Sequence, residues 1–93
     1  MAIPANEIDL ARYLEHSLLH PAATEAQVKE CCEAAVQFDF PAVCLYPTAI
    51  KTARDFLHHR PIQICSVVGF PAGAHTTATK LYEAQEAVEN GAT

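Results

Sequence analysis

The chain has 93 residues, room for one small domain, and is 51% apolar and 18% charged, the balance of a globular chain rather than of a disordered tail. Its formal net charge of −5 and its lack of any basic patch argue against nucleic acid and anionic membranes as partners. Mean hydropathy is +0.07, high for a chain whose size limits how much surface it can bury by itself, so apolar surface meant for another element to cover is expected.

The opening Met1-Ala-Ile-Pro-Ala-Asn-Glu-Ile-Asp carries acids where a secretory signal would carry bases, and it has no apolar core. No apolar run approaches the ~18 residues of a membrane span. Cys31, Cys32, Cys44 and Cys65 sit in apolar, periodic segments and form no C-x-x-C pair. Reduced thiols in a cytoplasmic protein are the expectation.

Residues 6–14 read as a short opening helix, with Asn6 as cap and Asp9 in its first turn. Residues 13–19 read as a first strand, with Glu15, Ser17 and Leu19 on one face and Leu14, His16 and Leu18 on the other. A turn at His20-Pro21 leads to Thr24, an N-cap with Gln27 placed for a capping box. The helix that follows runs to about Gln37, with Val28, Cys31, Cys32, Ala35 and Val36 as its apolar stripe. Residues 42–46 form a compact apolar run, the pattern of a strand buried on both faces. Thr48 is placed to cap a second helix over residues 49–58, its apolar side made by Ile50, Ala53 and Leu57. Residues 62–68, β-branched and bounded by Pro61 and Gly69, give the clearest strand signal. After a loop with two glycines, Thr76 or Thr77 caps a third helix to about Glu89, with Leu81, Ala84 and Val88 as its stripe and Asn90-Gly91 as its stop.

The order is a helix and then three strand–helix units, which predicts an α/β fold with a parallel sheet and right-handed crossovers. Three strands leave two open edges. The whole of residues 1–93 therefore reads as one partial domain, cut before a fourth strand. In such folds ligands bind beyond the C-terminal ends of the strands. Residues 20–24, 46–48 and 69–76 lie there, and each runs into a helix N-terminus, which favours anions. The third, with His75, matches neither a Walker A loop nor G-x-G-x-x-G. A loop that needs glycine for its backbone shape is the plainer reading.

Four stretches, in this order and at these separations, carry a specific resemblance: Leu14-Glu-His-Ser-Leu-Leu-His-Pro-Ala-Ala-Thr24, Pro41-Ala-Val-Cys-Leu-Tyr-Pro47, Val67-Val-Gly-Phe-Pro-Ala-Gly-Ala-His-Thr-Thr77 and the closing Glu-Ala-Val-Glu-Asn-Gly-Ala. Together, from about Ile8 to Thr93, they resemble the deoxyribose-phosphate aldolases. The resemblance implies the N-terminal part of a (β/α)8 TIM barrel. It also implies a class I aldolase, without cofactor or metal, that cleaves 2-deoxyribose 5-phosphate reversibly to acetaldehyde and glyceraldehyde 3-phosphate through a lysine Schiff base. Its partners would be those aldehyde and sugar-phosphate substrates, and further copies of itself in a homo-oligomer.

The family's Schiff-base lysine, its second lysine and its principal aspartate have no counterpart in these residues, so the chain alone is expected to be inactive. Lys29, Lys51 and Lys80 all fall on expected helices, with surface roles. What the resemblance carries over is pocket wall. Leu19, Cys44 and Val67 match substrate-lining positions. Glu15 stands where the family has an aspartate near the proton relay; being one methylene longer, it is open between an accessory catalytic carboxylate and a structural one. His20 and His75 are loop residues near the mouth, His58-His59 closes a helix, and Cys31-Cys32 is core. A metal-dependent enzyme has no support in the spacing of His and Cys. The other reading is a non-catalytic, self-associating part of a barrel that covers its own open edges.

Overall fold

The computed structural model describes residues 10–93. Of the opening helix expected over residues 6–14, residues 6–9 lie outside them; the described part holds a single 3-10 turn, Leu10–Tyr13. Three strands follow, β1 (Glu15–Leu18), β2 (Ala42–Leu45) and β3 (Gln63–Ser66), alternating with α1 (Glu25–Phe38), α2 (Ile50–Leu57) and α3 (Thr77–Asn90). The sheet is parallel in the order β1-β2-β3, as the strand–helix alternation requires. Each strand is shorter than its apolar run suggested, because pairing stops where the neighbouring strand ends.

Strand register sorts the side chains into two faces. His16 and Leu18, Val43 and Leu45, and Ile64 and Ser66 point one way; Glu15 and Ser17, Ala42 and Cys44, and Gln63 and Cys65 point the other. The first face packs on the helices: Val43 and Leu45 are fully buried with Ile50 and Cys32, and Val28, Ala35, Ala53, Leu57 and Ile64 complete the core. Each such Val, Leu or Ile contributes about 1.5–3 kcal/mol by leaving water. His16 stacks against Phe40 with ring centroids 5.5 Å apart, on the helical side. Among the described residues no helix packs on the second face. β2 is therefore buried on one side only, its Ala42 and Cys44 being half-exposed, which corrects the expectation of burial on both faces.

The capping box at the start of α1 is present. The Gln27 N–H donates to Thr24 Oγ1 at 3.2 Å and the Thr24 N–H donates to Gln27 Oε1 at 2.8 Å. The helix ends at Asp39 in a left-handed conformation (φ 56°). Val28, Cys31, Cys32 and Ala35 form its buried stripe, as the periodicity predicted. At α2 the expected cap is absent. Pro47–Ala49 form a 3-10 turn that runs directly into the helix, so Thr48 lies inside that turn and Ala49 occupies the cap position with no side-chain hydrogen bond. Pro47, with its fixed φ, starts the helical winding two residues earlier than a Thr48 cap would allow.

The third helix departs most from expectation. Thr76 caps it, accepting from the Thr79 N–H at 3.3 Å, and it stops at Gly91. Its buried residue, however, is Ala87, while Leu81 and Val88 are 65% and 67% exposed. The expected stripe of Leu81, Ala84 and Val88 does share a side of the helix, but no other described element covers it. Beyond α3 the chain returns to the free edge of β3. The Thr93 N–H donates to the Ile64 carbonyl at 2.8 Å and the Ile64 N–H donates to Thr93 Oγ1 at 2.8 Å. A groove of about 450 Å³ runs along that edge, walled by Cys65, Ser66, Ala84, Ala87 and Val88.

Candidate functional site

The helix-free face of the sheet gathers the polar and nucleophilic side chains that the core excludes. Register places the third residues of the three strands in one row, Ser17, Cys44 and Cys65. Glu15 lies in the row beneath, opposite Ala42. The Glu15 carboxylate and the Cys44 and Cys65 sulfurs all lie within 4.8 Å of one another. Partial burial pushes the Cys44 thiol up to about 12, with help from a hydrogen bond and charge repulsion from Cys65 and weaker effects of Glu15. Cys44 is therefore a protonated thiol at neutral pH, a poor nucleophile that packs and donates rather than attacks. All four cysteines are free.

Leu19 and Val67 stand one residue beyond β1 and β3, both half-buried. Val67 continues the ladder, its N–H donating to the Leu45 carbonyl at 3.0 Å. Strand alternation puts both on the open face, one row nearer the C-terminal end than Cys44.

The loop after β3 closes this end. The Gly69 N–H donates to Glu83 Oε1 at 2.7 Å and Lys80 Nζ donates to the Gly73 carbonyl at 3.2 Å. Gly69 has φ +61°, and a Cβ there would meet the Lys80 stem at 3.0 Å, so the loop needs glycine both for its turn and for the lysine beneath it. Phe70 packs edge-on against Tyr46, centroids 5.7 Å apart. Lys80 is thus half-buried and holds a loop, unlike the free surface lysine expected. Lys29 pairs with Glu25 at 3.6 Å across one turn of α1, and Lys51 is exposed. His75 is exposed, and His20 is exposed with its Nδ1 accepting from the Ala22 N–H at 3.2 Å within its turn. His58 and His59 stack on each other, centroids 3.9 Å apart, at the far end of α2.

Sequence reasoning put Glu15, Ser17 and Leu19 on one face, Ala42 with Cys44, and Cys65 with Val67; it did not align Ser17, Cys44 and Cys65 as one row across the strands. The signal was present: each is the third residue of its strand, and parallel pairing aligns third residues when the strands start level.

Comparison with known proteins sharpens this geometry. A deoxyribose-phosphate aldolase from Picosynechococcus sp. is 99% identical over all 93 residues, which cover 41% of that protein. The corresponding protein from Thermosynechococcus vestitus is 55% identical over 91% of the chain and 39% of its own length. The chain matches the deoxyribose-phosphate aldolases over about two fifths of their length. Solved deoxyribose-phosphate aldolases agree in fold. The one from Aeropyrum pernix, described as a tetramer, superposes with a TM-score of 0.84 at 34% identity over 90% of this chain and 36% of that one. A structure described as a putative deoxyribose-phosphate aldolase from Coccidioides immitis gives 0.88 at 31% identity over 90% of this chain and 33% of its own. No family model matches the sequence. The fold class expected from the alternation of elements holds: this is an α/β chain with a parallel three-stranded sheet that superposes on part of the solved deoxyribose-phosphate aldolases. Among the described residues no helix is long and apolar enough to cross a membrane.

Proposed function

We propose that the chain supplies three strands of a (β/α)8 barrel and one wall of its substrate pocket, in an enzyme of the cytoplasm that serves deoxyribonucleotide breakdown. That enzyme reversibly cleaves 2-deoxyribose 5-phosphate into acetaldehyde and glyceraldehyde 3-phosphate through a lysine Schiff base. The observation that carries the reading is the near-identity to a deoxyribose-phosphate aldolase. The sheet is compatible with it, because its helix-free face is the one a barrel turns inward.

On this reading Leu19, Cys44 and Val67 line the aldehyde site, and Glu15 sits at its floor as an accessory carboxylate. The imine-forming lysine must be neutral at working pH, which requires burial or a neighbouring cation. Lys29, with its ion pair, and exposed Lys51 have neither. Lys80 is engaged with the Gly73 carbonyl. The reaction therefore uses a lysine elsewhere in the whole enzyme, and these 93 residues alone catalyse no retro-aldol cleavage.

Borohydride trapping with acetaldehyde in the full-length Picosynechococcus relative, read by peptide mass spectrometry, tests this directly. The adduct is expected on a lysine outside the matched span. An adduct on the counterpart of Lys29, Lys51 or Lys80 would refute the assignment.

The exposed groove beside β3 favours a second reading for the isolated chain, that of a self-associating unit without catalysis. An apparent mass that rises with concentration in size-exclusion chromatography is the expected outcome, and a monomer at every concentration would contradict it.

A further inference from the structure

We propose that Glu15, Cys44 and Cys65 form a binding site for a thiophilic divalent cation of the zinc group, on the same face of the sheet as the proposed aldehyde site and sharing Glu15 and Cys44 with it. Three donors suited to such an ion, two sulfurs and a carboxylate oxygen, converge from three different strands with all ligand atoms within 4.8 Å of one another. Tetrahedral zinc with Zn–S of about 2.3 Å and Zn–O of about 2.1 Å would set its ligands roughly 3.5–3.8 Å apart. Side-chain rotation alone can close that difference. The backbone cannot drift apart to undo it, because Cys44 and Cys65 are directly paired in the β2–β3 ladder and Glu15 is held by the β1–β2 ladder.

Binding replaces the two thiol protons by the metal and releases them to solvent, leaving two thiolates and one carboxylate on the ion. Three protein ligands leave the fourth position for water, as at an open zinc site. The trio also differs from the other clustered ligand-type residues. Cys31 and Cys32 are buried in the core, and His58 and His59 stand exposed on a helix end. Cys65 is exposed, so solvent reaches the trio from the open face.

The test is titration of the reduced 93-residue chain with Cd2+, followed by the ultraviolet thiolate-to-cadmium absorption and by proton release. Competition with Zn2+ uses a chromophoric chelator. The expectation is one ion per chain and two protons released per ion. Affinity should fall about tenfold or more in Cys65→Ala and in Glu15→Gln. Both are exposed residues, so these variants keep the fold, which circular dichroism verifies. Cys44→Ser should abolish the absorption, and His58→Ala with His59→Ala should leave the affinity unchanged. Absence of thiolate–cadmium absorption in the parent chain would overturn the proposal. So would affinity indifferent to Cys65→Ala, or affinity that follows the histidine pair.

Discussion

Cys32 is fully buried between α1 and the sheet, and burial pushes its thiol up to about 11, with a smaller contribution from the charge of neighbouring Cys31. A thiol whose folded pKa exceeds its unfolded value retains its proton longer in the native state. Stability is then full below the unfolded value near 9 and falls as pH rises from there to about 11. A difference of that size is worth about 2–3 kcal/mol. The expected outcome is a denaturant midpoint flat from pH 7 to 8.5 that declines above about pH 9, and a shallower decline in Cys32→Ala. A Cys32→Ala chain with an unchanged alkaline slope would assign the effect to other groups. Gly91 gives a second residue-scale prediction. Its φ is +121°, and a Cβ would lie 2.5 Å from Arg54 Cδ and 3.0 Å from Arg54 Cβ. Gly91→Ala must both strain the backbone and push α2 from α3, at a cost of about 1–3 kcal/mol by chemical denaturation. These residues also mark what can be read without coordinates. Cys31 and Cys32 are legible as core because they sit on a helical stripe. The closeness of Cys65 to Cys44 and Glu15 is legible only once the strands are taken to start level, an alignment that nothing local in sequence fixes.

Elements differ in how much of their design is local. The start of α1 is wholly local: two side-chain–backbone bonds between Thr24 and Gln27 satisfy donors that the helix leaves unpaired. Thr24→Ala should lower stability by about 1 kcal/mol, whereas Thr48→Ala should change it by only a few tenths of that, because Thr48 caps nothing. Equal effects at both positions, measured by urea unfolding, would contradict the difference in capping. The stripes of α1 and α2 are legible for a similar reason. Their partners, β1 and β2 for α1, β3 for α2, and each other, lie within the described residues, so the face with apolar periodicity is also the face that is covered. For α3 the same periodicity identifies residues that share a side, Leu81, Ala84 and Val88, but periodicity says nothing about whether a partner is present. The residue that does pack is the small Ala87, where the end of α3 turns back toward β3.

Among the described residues, three parallel strands with helices on one face leave three uncovered surfaces. One is the inner face of the sheet, and the others are the edges of β1 and β3. The β3 edge is the most exposed to association. Its groove of about 450 Å³ is walled by Val88 and Ala84 beside Cys65, and α3 also presents Leu81 and Tyr82 at 65% and 69% exposure. Contiguous apolar surface beside unpaired strand groups is the arrangement that recruits another chain. The isolated 93 residues should therefore self-associate, with an apparent mass by size-exclusion chromatography and light scattering that rises with concentration. Val88→Lys places a charge on the groove wall at a position that is already 67% exposed. It should shift the distribution toward monomer with little change in circular dichroism, because the core of Val43, Leu45, Ile50 and Cys32 lies elsewhere. A parent chain that stays monomeric and melts cooperatively at every concentration would mean that the turn back along β3, fastened by the two Thr93–Ile64 hydrogen bonds, protects the edge by itself. The groove would then be a surface the chain tolerates in water rather than one it needs covered.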